Sequence, residues 1–443
     1  MRAASSSGRP PPASCRRSAG PSRRPPLASP DDPPLTNDEG DRPAVQDWRI
    51  LLAIFCVTSL VESLGVSQIF AFAPAYLTQM GVGDADRLHF VGLFSALIFI
   101  VGAPLVPLWG VWADKYSRKV VIVRSAIVEA VVFALVALSR EPWQLAGSML
   151  LVGFQLGNTG VMLAAIRDSA PRRRMGTAIA LFGASGPVGM AIGPVLGGRI
   201  VDGLHQGLPV VFWVSSALSV GTALLVSLGS REVRPTVIPQ GRIMTLAFGA
   251  VRGVLTDPAI RRVFVIFGIA FLGAQMSRPY LPVLVEAVNG RIDLASAIGF
   301  VTGTAALVGA LVSPIGGWIG DRIGFRPVLV GGLLVGGLAA AALPLLPSVP
   351  SLAGGVLVFG AAYSVEAAMV FGLLATEVPA DRRSATLNLV YLPLYAAGII
   401  GPILGAIVVG FGIWAPFAAA SVVFLVGSAG VAISTIRARP STA

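Results

Sequence analysis

Residues 110–119 read GVWADKYSRK, and residues 317–326 read GWIGDRIGFR. Each stretch is a short polar segment between two long apolar runs. In each, a glycine at the first position is followed by an aspartate at the fifth, and the two copies start 207 residues apart. A polar connection that repeats at this distance predicts a chain built from two similar halves.

Three further landmarks repeat at an offset of 208 residues. They are Leu64-Gly65 with Leu272-Gly273, Pro171 with Pro379, and Gly193-Pro194 with Gly401-Pro402. Agreement between four separate landmarks at nearly one spacing is not coincidental. Parallel six-helix repeats, with substrate bound near the midplane between them, are the architecture of one large class of membrane transporters.

The composition excludes an ordinary soluble protein. Of the 443 residues, 54% are hydrophobic and only 12% are charged, whereas soluble domains carry about 25% charged residues. A helix needs about 20 mostly apolar residues to cross a bilayer. The spans that satisfy this are residues 50–77, 88–112, 119–139, 143–166, 175–201, 208–229, 263–287, 294–319, 327–346, 350–376, 385–410 and 413–435. The chain is therefore predicted to be an all-α polytopic membrane protein, with twelve transmembrane helices as two parallel six-helix repeats around a central cavity.

The remaining segments complete the predicted domain organisation. Residues 1–48 are rich in Pro, Ser and Arg and lack an apolar run, so they are expected to form a disordered cytoplasmic tail. The first part of this tail also resembles a transit peptide. Two six-helix bundles follow, residues 49–229 and residues 263–436. A cytoplasmic central loop, residues 230–262, joins them, and residues 437–443 are expected to form a short cytoplasmic tail.

The basic residues predict the orientation of the chain. Of the 33 Lys and Arg residues, 28 fall in segments that lie on one side if the N-terminus is cytoplasmic. The opposite side holds only Arg87, Arg140, Arg199 and Arg291, and Arg278 lies within a span. Because positive residues stay on the cytoplasmic side, both termini are predicted to be cytoplasmic.

The net charge and the ratio of arginine to lysine indicate which partners the protein has and in which membrane it lies. The net charge of +11 is explained by a basic face that meets the anionic lipid of the inner leaflet, so no nucleic-acid partner is expected. Arginine outnumbers lysine 31 to 2, which is typical of a GC-rich genome and favours a bacterial plasma membrane. We expect a monomeric, multi-pass integral membrane protein.

Several kinds of enzyme are excluded by missing residues. A phosphate-binding loop of the Walker type needs Gly-Lys-Ser/Thr, but the two lysines, Lys115 and Lys119, precede Tyr116 and Val120. The two histidines are far apart in the sequence, so no metal centre is expected. We predict that the protein is not an enzyme and that it needs no cofactor.

The repeated polar loop resembles the signature of the major facilitator superfamily, Gly-x-x-Ala-Asp-Arg/Lys-x-Gly-Arg-Lys, with Ser117 in place of the second glycine. The resemblance extends over residues 49–436. It implies a latch that holds the two halves closed on the cytoplasmic side. The latch residues would be Gly110, Asp114, Arg118 and Lys119 with Gly317, Asp321, Arg322 and Arg326. The alternative is a merely basic turn that obeys the positive-inside rule.

The fifth span carries GMAIGPVLGG, residues 189–198. In this family the pattern resembles the antiporter signature of twelve-span drug:proton exporters. The matching residues are Gly189, Gly193, Pro194, Gly197 and Gly198. Small residues at this spacing also pack helices closely in any membrane bundle, so generic packing remains an alternative. Related exporters usually carry an arginine in the fourth span, where this chain has Gly153.

Charged residues in the middle of spans are functional candidates, because each costs about 2.5–3.5 kcal/mol to insert. By resemblance, Glu62, Arg278 and Glu366 would face the central cavity, whereas Glu129 would pair locally. We hypothesise that Glu62 or Glu366 carries a proton and that Arg278 modulates it. A static buried ion pair is the alternative.

The cavity itself is expected to bind a small molecule. Candidate substrate contacts on the same spans are Gln68, Gln155, Asn158, Gln275 and Tyr363. Neighbouring aromatic residues would make the cavity amphipathic, which suits apolar or weakly cationic organic compounds. The sequence predicts proton-coupled efflux of small amphipathic compounds by alternating access, with the proton gradient as energy source. A metabolite or nutrient permease of the same fold and a non-transporting membrane sensor remain alternatives.

Overall fold

The computed structural model describes residues 46–171, 173–235, 238–377 and 391–437, and within these ranges it contains helices and no strand. The helices are α1 Trp48–Gln79, α2 Asp84–Lys115, α3 Arg118–Leu138, α4 Pro142–Val152, α5 Asn158–Ser169, α6 Met175–Gly198, α7 Leu208–Gly229, α8 Ile243–Thr256, α9 Pro258–Ser277, α10 Leu281–Asn289, α11 Leu294–Ile323, α12 Phe325–Ala342, α13 Val349–Glu377, α14 Leu392–Val408 and α15 Ala415–Arg437. Most of the predicted N-terminal tail, the first residues of the predicted eleventh span and the end of the C-terminal tail lie outside the described residues.

The described helices account for the predicted membrane crossings. Eleven helical segments are long and apolar enough to cross a bilayer within the described residues. The fourth crossing is built from α4 and α5, which are separated by a turn at residues 153–157. The all-α fold with twelve crossings that the sequence predicts is therefore confirmed, but its fourth member is interrupted.

The interruption of the fourth crossing has a local cause. Gly157, directly before α5, has a φ of +102°, a left-handed conformation that costs other residues about 1–2 kcal/mol. Four residues earlier, Gly153 lies so close to α2 that an added Cβ would be 2.7 Å from the backbone nitrogen of Gly102. The two glycines allow the chain to turn inside the bundle while it stays packed against α2.

The central loop also differs from its prediction, because it contains the helix α8. Ile243, Ala247 and Val251 recur at helical spacing and are buried or half-buried, whereas the residues between them are mostly exposed. This amphipathic face packs against α2 and α9. The segment thus forms a short helix beside the bundle rather than a structureless connection.

Two groups of helices form the body of the molecule. The N-terminal half comprises α1–α7, and the C-terminal half comprises α9–α15. The two halves meet where α2 packs on α14 and where α6 packs on α11. The helix ends at residues 80–83, 139–141, 204–207, 290–293, 346–348 and 412–414 form the face that the basic residues predict to be outside the cell, which we call the predicted outer face. The opposite end is the predicted inner face.

The first glycine of each repeated loop lies inside a helix and not in the turn that follows it. Gly110 lies within α2 and Gly317 within α11, and an added Cβ on either would meet nothing within 4 Å. The turn glycine of the second loop is Gly324, with a φ of +97°. Gly110 and Gly317 therefore provide smooth helix surfaces near the predicted inner face instead of bending the chain.

Candidate functional site

An acidic site surrounds Glu62 in the middle of α1. Its carboxylate oxygens accept hydrogen bonds from Nε2 of Gln155 at 3.0 Å and from Nδ2 of Asn158 at 2.8 Å. Both amides belong to the interrupted part of the fourth crossing, so the break in the helix turns them toward α1. The structure brings together three residues that were predicted separately. It uses the two amides to hold a carboxylate, although the sequence suggested that they contact substrate.

Asn158 is suited to both protonation states of Glu62. It is the first residue of α5, and the N-terminus of a helix stabilises a nearby negative charge by about 0.3–1 kcal/mol. Within the described part of the chain, its Oδ1 atom is buried and has no hydrogen-bond partner. The amide donates to the ionised carboxylate, and after rotation it would offer an acceptor to the protonated acid.

Arg124 is the cation of this site, and the sequence analysis did not identify it. It was counted among the cytoplasmic charges because it follows the start of α3 by only six residues. Its guanidinium lies 3.8 Å from the centre of the Trp109 ring and interacts electrostatically with Glu62. It also approaches the carbonyl oxygens of Gln155 and Leu156, at 3.4 and 3.5 Å.

The positive charge thus comes from α3 and not from the fourth crossing. The family arginine would stand at Gly153, where the contact with Gly102 leaves no space for a side chain. Arg124 reaches the same region from the neighbouring helix. Only a comparison of helix packing could have found it, because its position along the chain is that of a residue near the membrane surface.

A second carboxyl group, that of Glu129, completes the cluster. Glu129 lies five residues further along α3 than Arg124 and is 3% exposed, and its Oε1 atom is buried without a hydrogen-bond partner among the described residues. It interacts electrostatically with Glu62. Tyr395 of α14 also interacts electrostatically with Glu62, which connects the cluster to the C-terminal half. We call Glu62, Arg124, Glu129, Gln155 and Asn158 the acidic cluster.

A cavity of about 340 Å³ lies between the two halves. Its walls come from α1 and α6 on one side and from α9, α10, α11 and α13 on the other. Most of the lining is apolar. The polar residues along it are Ser67, Arg278, Thr302, Ser313, Tyr363 and Ser364. Arg278 and Tyr363 were both predicted from the sequence as functional residues of this region.

Two predicted substrate contacts lie elsewhere. Gln68 is fully buried, donates to the carbonyl oxygen of Gly193 at 3.1 Å and accepts from the hydroxyl of Ser215. Gln275 is buried against Gly401 of α14. Neither lines the cavity, because close helix packing uses the amide of Gln68 as a contact between helices and places the Gln275 side chain against α14.

Glu366 is buried at the contact between α13 and α12. An added Cβ on Gly336 would lie 2.8 Å from its Oε1 atom, and Gly332 faces its side-chain stem. Both carboxyl oxygens lack a hydrogen-bond partner among the described residues. The expectation that Glu366 faces the cavity is therefore corrected: it is not among the lining residues, and glycines on α12 leave a niche that takes its side chain into the contact between α13 and α12. Its part in proton transfer stays a prediction.

The glycines of the antiporter-like signature lie along two helix contacts. Gly189 and Gly193 face the backbone of α1 at Leu60 and Leu64, and Gly197 faces the ring of Phe72. Gly198 faces the other half, where an added Cβ would lie 2.7 Å from the carbonyl oxygen of Ala295. The carbonyl of Pro194 lies against Gly299 of the same helix, α11. The signature thus packs α6 against α1 of its own half and, through Pro194 and Gly198, against α11 of the other half.

The predicted latch residues of the first half form an ion-pair cluster near the predicted inner face. Arg118 is 2% exposed, contacts Asp114 at 2.9 Å and contacts Asp168 of α5 at 2.8 Å. Its backbone N–H donates to Glu232, 2.9 Å away in the central loop. Lys119 donates to two carbonyl oxygens at the end of α7. All these contacts stay within the N-terminal half and its connecting loop.

The latch residues of the second half are more exposed. Asp321 and Arg322 are exposed, and the Arg322 guanidinium lies 3.8 Å from the centre of the Trp318 ring. Arg326 contacts Ser434 of α15 at 3.5 Å. A latch between the halves stays a prediction.

An ion pair joins the two halves at the predicted outer face. Arg87, at the start of α2, contacts Glu286 of α10 at 2.7 Å, and the two side chains are 7% and 13% exposed. Thr78 accepts a further hydrogen bond from Arg87 at 2.6 Å. Nearby, Nδ1 of His89 lies 2.7 Å from the carbonyl oxygen of Ala406 in α14. The halves are therefore held together at this end.

The protein has two helical halves around a central cavity, and both halves are built from helices long and apolar enough to cross a membrane. These features define a multi-pass membrane transporter. The family model described as Major Facilitator Superfamily matches residues 55–291 and 263–443, and the chain belongs to that family. Its resemblance to the family signature is thereby confirmed.

Curated relatives and solved structures agree with this assignment. The chain is 28% identical over 295 residues to the multidrug resistance protein MdtG of Salmonella typhi and to that of Citrobacter koseri, which covers 65% of this chain and 71% of each relative. A bacterial homologue of the human lysosomal transporter Spinster, in an inward-facing conformation, shares the fold with a TM-score of 0.70, 17% identity and coverage of 90% and 100%. The nucleoside transporter NupG matches with a TM-score of 0.69, 15% identity and coverage of 87% and 99%.

Proposed function

We propose that this transporter exports small amphipathic organic compounds in exchange for protons, by alternating access. The observation that carries the proposal is the carboxylate of Glu62, held by two amides at a broken helix and interacting electrostatically with the half-buried Arg124. A carboxyl group inside a membrane bundle is energetically costly, and its presence there is therefore an indication of function. The export direction is supported by the relatives whose names describe multidrug resistance.

The acidic cluster provides the parts of a proton exchange site. The ionised carboxylate of Glu62 is stabilised by the donors of Gln155 and Asn158 and by Arg124. When a proton binds, the carboxyl group becomes neutral and its attraction to Arg124 is lost. Glu62 interacts electrostatically with Tyr395 of the other half, so movement of the halves would change its surroundings. That change couples protonation to the state of the transporter.

Alternating access would use the contacts between the halves. The pair of Arg87 and Glu286 holds the predicted outer face closed, whereas Gly110 and Gly317 face open space near the predicted inner face. We propose that these two smooth surfaces, with their neighbouring latch residues, approach each other when the inner side closes. The contact between α6 and α11 would act as the pivot between the two states.

The proposal is tested by efflux driven by a pH gradient in proteoliposomes. The variants are Glu62→Gln, Glu366→Gln and the double variant, each checked for folding by its thermal unfolding midpoint. We expect Glu62→Gln to abolish gradient-driven efflux but to retain exchange of substrate between the two sides, because glutamine keeps the size of the side chain and cannot carry the proton. Undiminished coupling in all three variants would overturn the proposal.

A counterflow measurement distinguishes the competing function. A metabolite or nutrient permease that works by facilitated exchange would exchange substrate at the same rate with and without a pH gradient, and one that couples uptake to protons would accumulate substrate under the opposite gradient from an exporter. An exporter coupled to protons would accumulate substrate only when the gradient is present. If the wild-type protein exchanges substrate at a rate that does not depend on the pH gradient, the permease function is favoured.

A further inference from the structure

Among the described residues that line the central cavity, one is charged, and it is an arginine, Arg278. Arg278 lies in the turn between α9 and α10 and is half-buried. No carboxylate of the described residues lies within 4.0 Å of its guanidinium. Its described contacts are the ring of Phe70, 5.4 Å from the guanidinium carbon, and an electrostatic interaction with Tyr363.

The acidic residues in the middle of the bundle lie outside the lining of this cavity, and Glu366 interacts electrostatically with the lining residue Tyr363 from outside it. Glu62 is bound by the amides of the fourth crossing, Glu129 is on α3, and Glu366 occupies the glycine niche of α12. None of the three is among the residues that line the cavity. A cation bound there would therefore meet Arg278 and no compensating carboxylate.

An unpaired charge in apolar surroundings is costly, and an anionic partner removes that cost. The planar guanidinium of arginine matches the geometry of a carboxylate with two parallel hydrogen bonds. The cavity walls contribute Phe70, Phe359 and Tyr363, with Phe271 packed edge-on against Tyr363 at 5.1 Å. The volume of about 340 Å³ is within the range of small-molecule sites.

We propose that the substrates of this transporter are amphipathic organic anions, whose carboxylate or similar group pairs with Arg278 while an apolar ring system fills the aromatic side of the cavity. This rests on the proposed export function and names its substrate class. It departs from the weakly cationic compounds that the sequence alone suggested. The sequence placed acidic and basic groups together in one cavity, whereas the structure separates them.

Three probes with one ring system test the charge preference. They are 2-naphthoate, 2-naphthamide and 2-naphthylmethylammonium, which are anionic, neutral and cationic at neutral pH. Binding to the purified full chain is measured by calorimetry. We expect naphthoate to bind most tightly, and the cation to bind weakest.

Variants assign that preference to Arg278. Arg278→Gln is expected to weaken naphthoate binding by about tenfold or more, the equivalent of about 1.4 kcal/mol, while binding of the amide changes little. Arg278→Lys should retain part of the anion preference. Arg140→Gln removes the same charge near the predicted outer face and serves as the control, with Thr302→Val as a cavity change without a charge change. The thermal unfolding midpoint verifies that each variant is folded.

The outcomes separate this inference from the proposed function. Equal binding of the three probes, preference for the cation, absence of naphthoate binding, or equal losses for all probes in Arg278→Gln would each overturn the inference. If naphthoate binds through Arg278 but a pH gradient does not drive its movement, the substrate class stands and the proton-coupled function fails.

Discussion

At the scale of single residues, the acidic cluster shows what a sequence can and cannot reveal. Glu62 was identifiable because its position in the middle of an apolar span is unusual. Arg124 was not, because a helix start only six residues away makes it resemble a surface charge. The direction of Glu366 was equally hidden. Depth along a helix can be counted from the sequence, but rotation about the helix axis depends on which neighbour, here Gly332 and Gly336, leaves room for the side chain.

Arg124 provides the first prediction. Arg124→Gln is expected to reduce proton-driven transport by about tenfold, the effect of a loss of about 1.4 kcal/mol, because the ionised form of Glu62 loses its positive neighbour. Arg124→Lys should retain most of the activity, since it keeps the charge. Initial rates of gradient-driven transport in proteoliposomes provide the measurement.

The matched control for Arg124 is Arg140→Gln, which removes an arginine far from the cluster. We expect the control to transport at the wild-type rate. If Arg124→Gln and the control behave alike, Arg124 has no part in coupling, and Glu62 must be assigned a different partner.

At the scale of helices, the hydropathy and the internal repeat predicted the crossings, while the break in the fourth helix was missed. The apolar run continues through residues 150–157, so hydropathy gives no signal there. Gly153 and Gly157 were visible in the sequence, but a glycine in a membrane span is compatible with an intact helix. The helical segment α8 was missed for a different reason: it is apolar and carries one charged residue, Arg252, but its 14 residues are too few to cross a bilayer.

The contact between α6 and α1 gives the second prediction. Gly189→Ala would place a Cβ against the backbone of Leu60, at a distance that only separation of the two helices can relieve. Overpacking of this kind costs about 1–3 kcal/mol, so the thermal unfolding midpoint and the transport rate should both fall.

Gly183→Ala is the control for this change. Gly183 is on the same helix, and an added Cβ there meets nothing within 4 Å. Because alanine favours a helix more than glycine, this variant should unfold at the wild-type temperature or above it. Equal losses of stability in the two variants would contradict the close packing assigned to the signature.

At the scale of the whole molecule, closure of the predicted outer face depends on a buried ion pair between the halves. Without Glu286, the buried Arg87 keeps only the exposed Asp84, 3.2 Å away, as an ion-pair partner among the described residues, and breaking a buried pair costs up to about 3–5 kcal/mol. Glu286→Gln should therefore shift the protein toward a state that is open at this face. The consequence is an increase in access to residues beneath the ion pair.

Cysteine labelling measures that access. Val283 of α10 is 4% exposed, and Val283→Cys can be placed in a chain whose natural cysteines, Cys15 and Cys56, are replaced by serine. A membrane-impermeant thiol reagent should label it faster when Glu286→Gln is present. Arg140→Gln is the control, because Arg140 is exposed at the same face and is outside the ion pairs of the described residues. Equal labelling rates in the Glu286→Gln and parent proteins would show that the pair does not hold this face closed.

The central claim is that substrate export is coupled to proton movement in the opposite direction, and that Glu62 carries the proton. The most direct measurement is proton movement, followed with a pH-sensitive dye trapped in proteoliposomes, when a substrate gradient is imposed without a pH gradient. The account predicts that substrate movement in one direction drives protons in the other, and that Glu62→Gln moves substrate without moving protons. Proton movement of wild-type size in Glu62→Gln, or none in the wild-type protein while substrate crosses, would contradict it.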